Sequence, residues 1–280
     1  MVSLDAHGWT LALNPHAGGT VERLDYGGLP ILRSAQPGAE APTESAAFPL
    51  FPFSGRIENG RFDWDGSAIA LPPNFPPEPH AIHGECWTKP WIIASQDADA
   101  ITLTREQSGE GWPWRYRSSQ GVTLLPGAAR VDLALTNIDT RPMPAGLGWH
   151  PYFPRQGATL TANVSGIWKS NGKTLPTRSS ALGPANNLNA PHRVDTLTLD
   201  HCFTASNGHA RIDWTDGPTL DMRFESPLDY LIVFVPPGED FFCVEPVSHA
   251  PNAVNVPADA GQRTLAPGET LSASIMLAVS

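Results

Sequence analysis

Glu245 closes the apolar run Phe241-Phe242-Cys243-Val244 and is followed by Pro246. A carboxyl at the end of an apolar strand loses water, which disfavours its charged form. Its pKa then moves up toward the range useful to a general base. The same residue at a strand end can also pair with an arginine or point to solvent, and spacing alone leaves both readings open. His150 lies in Gly148-Trp149-His150-Pro151-Tyr152-Phe153. An imidazole among aromatic rings is either a proton donor tuned by a carboxylate or a packed ring satisfied by a backbone carbonyl. Arg56 follows Phe51-Pro52-Phe53-Ser54-Gly55, so a guanidinium leaves an apolar segment beside a glycine that lets partners approach. A salt bridge within the sheet is the alternative. His80 and His83 stand three apart after a proline-rich stretch. As a metal pair they would need a third ligand from elsewhere, and the prolines argue against a helix presenting both on one face. Asp200-His201 precedes Cys202-Phe203, and either polar residue could cap or bridge a turn.

Other signatures fail. Gly172-Lys173-Thr174 ends like a phosphate-binding loop, but the glycine required five positions earlier is Ile167. There is no Gly-x-Ser-x-Gly elbow and no His-Glu-x-x-His pair, and Ser248-His249 reads as a chance neighbour pair.

The elements that must position these groups have the periodicity of strands. Short apolar or alternating runs recur at 9–13, 21–26, 49–53, 61–71, 101–105, 131–135, 228–235, 241–245 and 271–279. Gly18-Gly19, Gly27-Gly28, Asn59-Gly60, Asp65-Gly66, Asp216-Gly217 and Pro236-Pro237-Gly238 punctuate them. Asn-Gly and Asp-Gly suit hairpin turns because both residues tolerate positive φ, so 56–71 reads as three strands joined by two turns. No run of ten residues has apolar positions at helical spacing. The reading is an all-β antiparallel sandwich. The segment 72–79 (Pro-Pro-Asn-Phe-Pro-Pro-Glu-Pro) reads as a rigid extended loop, and 172–189 as a second long polar loop. No linker divides the chain, so residues 1–280 are expected to form one domain.

The chain has 280 residues, 18 Lys plus Arg against 28 Asp plus Glu, and a formal net charge of -10. That balance argues against a nucleic-acid surface, which needs clustered cations to release counterions. Apolar runs of about five residues are far short of the ~20 a membrane helix requires, so no membrane partner is expected. Three widely spaced cysteines form no Cys-x-x-Cys pair, and Met1 to Thr10 has no basic signal-like segment. A reducing, cytoplasmic setting follows as the expectation. Nothing in the sequence sets an oligomeric state.

Read in order, these segments resemble the aldose 1-epimerase (mutarotase) family over most of the chain. The matching motifs are Gly55-Arg56-Ile57, Gly60-Arg61-Phe62, His83-Gly84, His150-Pro151-Tyr152-Phe153, Leu175-Pro176-Thr177, Asp200-His201-Cys202-Phe203, Glu245-Pro246 and Asn252-Ala253-Val254-Asn255. The resemblance implies a large two-sheet antiparallel β-sandwich, the galactose mutarotase-like supersandwich. It implies interconversion of the α and β anomers of a free monosaccharide with no cofactor and no metal. On this reading Glu245 is the base and His150 the acid, exchanging roles on reclosure, and activity falls in acid as Glu245 takes up a proton. Arg56, His83 and Asp200 bind the sugar, with His80 a further binding candidate. Trp149, Tyr152 and Phe75 are candidates for stacking on a sugar face, although core packing also accounts for them.

The chain departs from the family pattern at two places. Gly55 stands where Asn often precedes the arginine, removing one sugar contact, and Glu85 replaces a usual second glycine and is expected near the mouth of the site. Competing readings are a hexose-6-phosphate 1-epimerase, a non-catalytic carbohydrate-binding β-sandwich, and a metal-dependent isomerase built on His80, His83 and His150. A phosphate dianion wants several clustered cations, and this chain has three lysines.

Overall fold

The computed structural model describes residues 1–36, 38, 41–170, 175–256 and 260–280. Gly172-Lys173-Thr174 lies outside the described residues. Antiparallel strands carry the architecture. In the first layer Val2–Ala6, Trp9–Asn14, Thr20–Tyr26, Ala47–Leu50, Gly148–Pro154, Phe241–Val247, Tyr230–Val235, Leu199–Trp214 and Ala158–Ser170 neighbour one another in that order. In the second, Ile92–Gln96, Ala100–Ser108, Arg115–Leu125, Ala128–Asn137, Thr270–Val279 and Thr219–Phe224 do the same. Among the described residues the helical pieces are three-residue 3₁₀ turns, and no helix is long and apolar enough to cross a membrane.

One strand belongs to both layers. Leu199–Trp214 pairs through Leu199–Thr204 with Tyr230–Val235, and through His209–Asp213 with Thr219–Phe224. The change of partner falls at Asn207 and Gly208, both at positive φ. A Cβ at Gly208 would lie 1.7 Å from the Phe224 carbonyl oxygen, so only glycine passes there.

Period-2 alternation sorts the side chains of the first layer. Trp149, Phe153, Phe242, Val244, Leu231, Val233, Phe203 and Ile167 face the second layer and join Leu103, Val122, Val131 and Ile275 in one core. Trp9 Nε1 donates to the Leu125 carbonyl at 3.0 Å, and Gln120 Nε2 to that of Gly19 at 2.7 Å, across the layers. The result is a two-sheet sandwich, as the strand pattern predicts. The intervening positions Phe48, Tyr152, Trp168, Cys202, Tyr230 and Cys243 form a second buried cluster on the opposite face. Ile82, Trp87, Ala250 and Ala253, from the loop segments around 51–91 and 248–256, cover it. A cleft remains between that face and those loops.

Candidate active site

Cross-strand register builds the cleft floor. Tyr152 lies opposite Cys243 and Gly148 opposite Val247, and that register sets His150 across from Glu245. Phe48 flanks His150, Ile232 flanks Glu245, and Cys202 and Trp168 continue the row. The adjacent row runs Tyr152, Cys243, Phe234 and Asp200. The cleft holds about 270 Å³. Arg56, His83, His150, Asp200, His201 and Glu245 supply polar groups to it, and Phe75, Tyr152, Trp168, Phe234 and Phe241 supply apolar surface.

His150 Nε2 is 3.3 Å from Glu245 Oε1, with both side chains nearly sealed from solvent. The two groups stand side by side, not on either side of a space the size of a pyranose. Burial pushes the Glu245 carboxyl well above its ordinary range, and negative Asp200 adds to this while Arg56 opposes it. Burial pushes the His150 imidazole down to about 3, with the charges of Arg33 and Arg56 acting in the same direction. Both shifts favour a pair that holds one proton.

The imidazole is held in a stack. Phe48 packs against it at 4.5 Å between centroids and Tyr152 at 4.8 Å, and those two rings are 6.1 Å from each other, so they wall adjoining sides of the imidazole. Behind Tyr152 the Arg33 guanidinium sits 3.8 Å from the ring centroid, anchored by Nε donating to the Ser45 carbonyl at 3.1 Å. His83 meets His150 edge-on at 5.4 Å. Its backbone turns through φ 59° into Gly84 at φ 68°, where a Cβ would lie 1.9 Å from the Phe51 carbonyl oxygen. Asn74 fixes this turn by donating to the carbonyls of Ile82 (2.7 Å) and Gly84 (2.6 Å). Gly55 N–H donates to His83 Nδ1 at 3.2 Å, which leaves the ring's proton on Nε2. Burial, then the His150 and Arg56 charges, keep His83 neutral.

Arg56 Nε donates to Glu78 Oε2 at 2.9 Å, and the second oxygen of Glu78 is 3.9 Å from His80 Nε2. Asn59 N–H donates to His80 Nδ1 at 3.0 Å. His80 therefore stands behind Arg56 and does not line the cleft, a correction to its place as a sugar-binding candidate. Glu78, which the sequence reading places only in a rigid loop, is what holds Arg56.

One further expectation is corrected, and two alternatives fall away. Glu85 is not at the mouth of the cleft. Gly84 turns the chain so that His83 lines the cleft while Glu85 lines a separate cavity of about 470 Å³ and accepts the Tyr116 hydroxyl at 3.0 Å. Trp149 is fully buried in the sandwich core and stacks on nothing in the cleft. His80, His83 and His150 form no metal set, because the one converging group of three ligand side chains among the described residues is His150, Cys243 and Glu245. Ser248 and His249 are both buried in backbone contacts: Leu147 N–H donates to Ser248 Oγ and Ser54 N–H to His249 Nε2. Cys86, Cys202 and Cys243 are free and buried.

A two-layer β-sandwich whose outer face carries a small polar-floored, aromatic-walled cleft is a galactose mutarotase-like build. The chain belongs to the aldose 1-epimerase family, whose sequence pattern matches residues 1–278. The uncharacterized protein YphB of Escherichia coli K12 is 32% identical over 273 residues, covering 94% of this chain and 93% of that protein. A crystal structure of a candidate aldose 1-epimerase from E. coli K12 superposes with TM-score 0.91 at 30% identity, covering 99% and 98% of the two chains. A galactose mutarotase-like protein from Clostridium acetobutylicum gives TM-score 0.88 at 19% identity over 99% and 94%, which speaks to fold alone.

Proposed function

We propose that this protein is an aldose 1-epimerase acting on a free, unphosphorylated monosaccharide. The contact between His150 Nε2 and Glu245 Oε1, 3.3 Å on the floor of an open cleft, carries the reading. Glu245 in its charged form removes the proton of the C1 hydroxyl while protonated His150 delivers one to the ring oxygen. The C1–O5 bond breaks and leaves an open-chain aldehyde. After rotation about C1–C2, His150 takes the O5 hydroxyl proton and Glu245 returns one to the carbonyl oxygen as the ring closes. Proton count and charge are restored, and side-by-side placement suits two oxygens borne on one carbon. Each positioned acid or base supplies about 10²–10⁴-fold.

The cleft's size, near the lower end of the ~300–1,000 Å³ usual for small-molecule sites, suits one sugar ring. Arg56 is the one Arg or Lys among the described lining residues, and it is already paired with Glu78. Asp200 brings negative charge. That electrostatic balance favours hydroxyls over a phosphate dianion.

The test is anomer exchange by saturation-transfer NMR on glucose, galactose, pentoses and a hexose 6-phosphate, followed across pH. Exchange of at least one free sugar above the buffer rate is expected, with the phosphorylated sugar disfavoured. Catalysis on the phosphorylated sugar alone refutes the reading. The pH course should be a broad plateau, because the working form is the pair with one proton. Its acid limb lies where the pair gains a second proton, well below the ordinary histidine value near 6.5, since His150 is held down toward 3. Its alkaline limb lies where raised Glu245 gives up the last proton. A single limb near pH 6.5 would mean a solvated histidine is doing the chemistry.

Glu78→Gln tests the support of Arg56. Hydrogen bonds to charged groups are worth about 1.5–3 kcal/mol, and partial exposure of this pair places the cost at the low end. KM should rise by about 10-fold, with kcat changing less. An unchanged KM would show that Arg56 holds its position without Glu78.

A further inference from the structure

We infer that His150, Cys243 and Glu245 form a binding site for a zinc-class divalent cation, whose occupancy excludes sugar turnover. One nitrogen, one sulfur and one carboxylate oxygen lie within 4.8 Å of one another, and all three side chains are buried. The arrangement follows from the sheet: Cys243 and Glu245 are two apart on one strand, so they share a face, and His150 comes from the next strand in register. Zn–S near 2.3 Å and Zn–N or Zn–O near 2.0–2.2 Å place tetrahedral ligand atoms roughly 3.3–3.7 Å apart. His150 and Glu245 already meet that spacing at 3.3 Å, and rotating one side chain by about 1 Å would bring in the sulfur.

Two further observations point to an ion. Among the described residues no hydrogen bond reaches Cys243 Sγ, whereas Cys86 Sγ contacts both Tyr116 and Ser118 hydroxyls. His150 and Glu245 line the cleft but Cys243 does not, so an ion would rest on the thiolate from below and present its fourth position to the cleft. Three protein ligands with one open position are common for zinc, and a thiolate–imidazole set discriminates against magnesium and calcium, which prefer all-oxygen shells. On binding, the Cys243 thiol releases its proton to solvent as the S–metal bond forms. The atoms coordinating the ion are those proposed to move protons, so a loaded chain cannot open the hemiacetal. The ion is an inhibitor, not a cofactor.

The exclusion half rests on the proposed epimerase activity; the binding half does not. Metal-free full-length protein titrated with Co²⁺ should develop a near-ultraviolet thiolate-to-cobalt band at one equivalent, displaced by Zn²⁺ and absent with Mg²⁺. Cys243→Ser should lose the band while Cys202→Ser and Cys86→Ser keep it. Zn²⁺ should suppress anomer exchange, a chelator should restore it, and Cys243→Ser should need at least about 100-fold more Zn²⁺, because even a hydrogen-bond partner of a ligand is worth about 10–100-fold. Zinc X-ray absorption of the wild-type complex should show a single sulfur among nitrogen and oxygen ligands, a readout independent of whether the serine variant folds. No thiolate band, a band surviving in Cys243→Ser, a sulfur-free zinc shell, or exchange unaffected by bound zinc overturns the inference. A chain that shows the cobalt signature but never exchanges anomers refutes the epimerase reading and keeps the cation site.

Discussion

Replacing Glu245 by glutamine should lower anomer exchange by about 10²–10⁴-fold while the protein stays folded. The amide has the shape of the carboxyl and keeps a partner for His150 Nε2, but it cannot accept the C1 hydroxyl proton. The fold should not suffer, and the sign is clear from linkage. A carboxyl whose pKa is raised in the folded state opposes folding at any pH above its unfolded value, and burial raises Glu245. The neutral amide removes that opposition at neutral pH, so the variant should melt at the same temperature as wild type or higher. Saturation-transfer NMR and a thermal melt on the same sample decide it. Exchange within a few-fold of wild type would remove Glu245 from the chemistry and direct attention to Asp200, the other carboxylate lining the cleft. Sugar binding by the wild type with no exchange at all would favour a carbohydrate-binding module.

Strands whose two faces differ in polarity were legible in the sequence to within a few residues. The runs at 9–13, 131–135, 241–245 and 271–279 are the strands Trp9–Asn14, Ala128–Asn137, Phe241–Val247 and Thr270–Val279. Two strands escaped reading for different reasons: in Arg115–Leu125 the run Arg117-Ser118-Ser119-Gln120-Gly121 interrupts the period, whereas Ala158–Ser170 does alternate but begins with small, weakly apolar residues that form no conspicuous apolar run. The two Gly turns in 56–71 differ for a physical reason. Asp65 and Gly66, both at positive φ, close the hairpin Arg61–Trp64/Ser67–Ala70. Asn59 and Gly60 have the same signs of φ but sit in a 3₁₀ turn, and Arg56–Ile57 pairs with Ala81–Ile82 instead. Local turn preference cannot choose between a near and a distant partner strand.

For the cleft, residue types were legible where the chain places a charge inside an apolar run, as at Glu245 and His150. Their mutual contact was not, because it depends on the register of two strands nearly a hundred residues apart. A one-residue slip would have sent either side chain into the sandwich core, which is where their sequence neighbours Trp149 and Val244 go. The roles of Glu78 and His80 were hidden for another reason. Both lie in irregular backbone among prolines, where no period says which way a side chain points, and only folding against Asn59 and Arg56 reveals them.

His150→Asn should cost exchange about as much as Glu245→Gln, and the double variant should be little worse than either single one. The two groups stand 3.3 Å apart, and in the proposed mechanism they hold one proton between them, so each needs the other to reset. Groups that act as a unit show this non-additivity when removed together. Asparagine retains a polar group near Glu245 Oε1, but it cannot deliver a proton to the ring oxygen, and it gives up the ring contacts that the imidazole makes with both Phe48 and Tyr152, leaving a gap beside them. That gap costs stability, so the melting temperature should fall in His150→Asn and not in Glu245→Gln. The pH course gives a second signature: with the imidazole gone, the acid limb of the residual rate moves up to where raised Glu245 itself takes up a proton. Losses that multiply in the double variant, each single change acting independently of the other, would mean that Glu245 and His150 serve different steps and that their contact is packing.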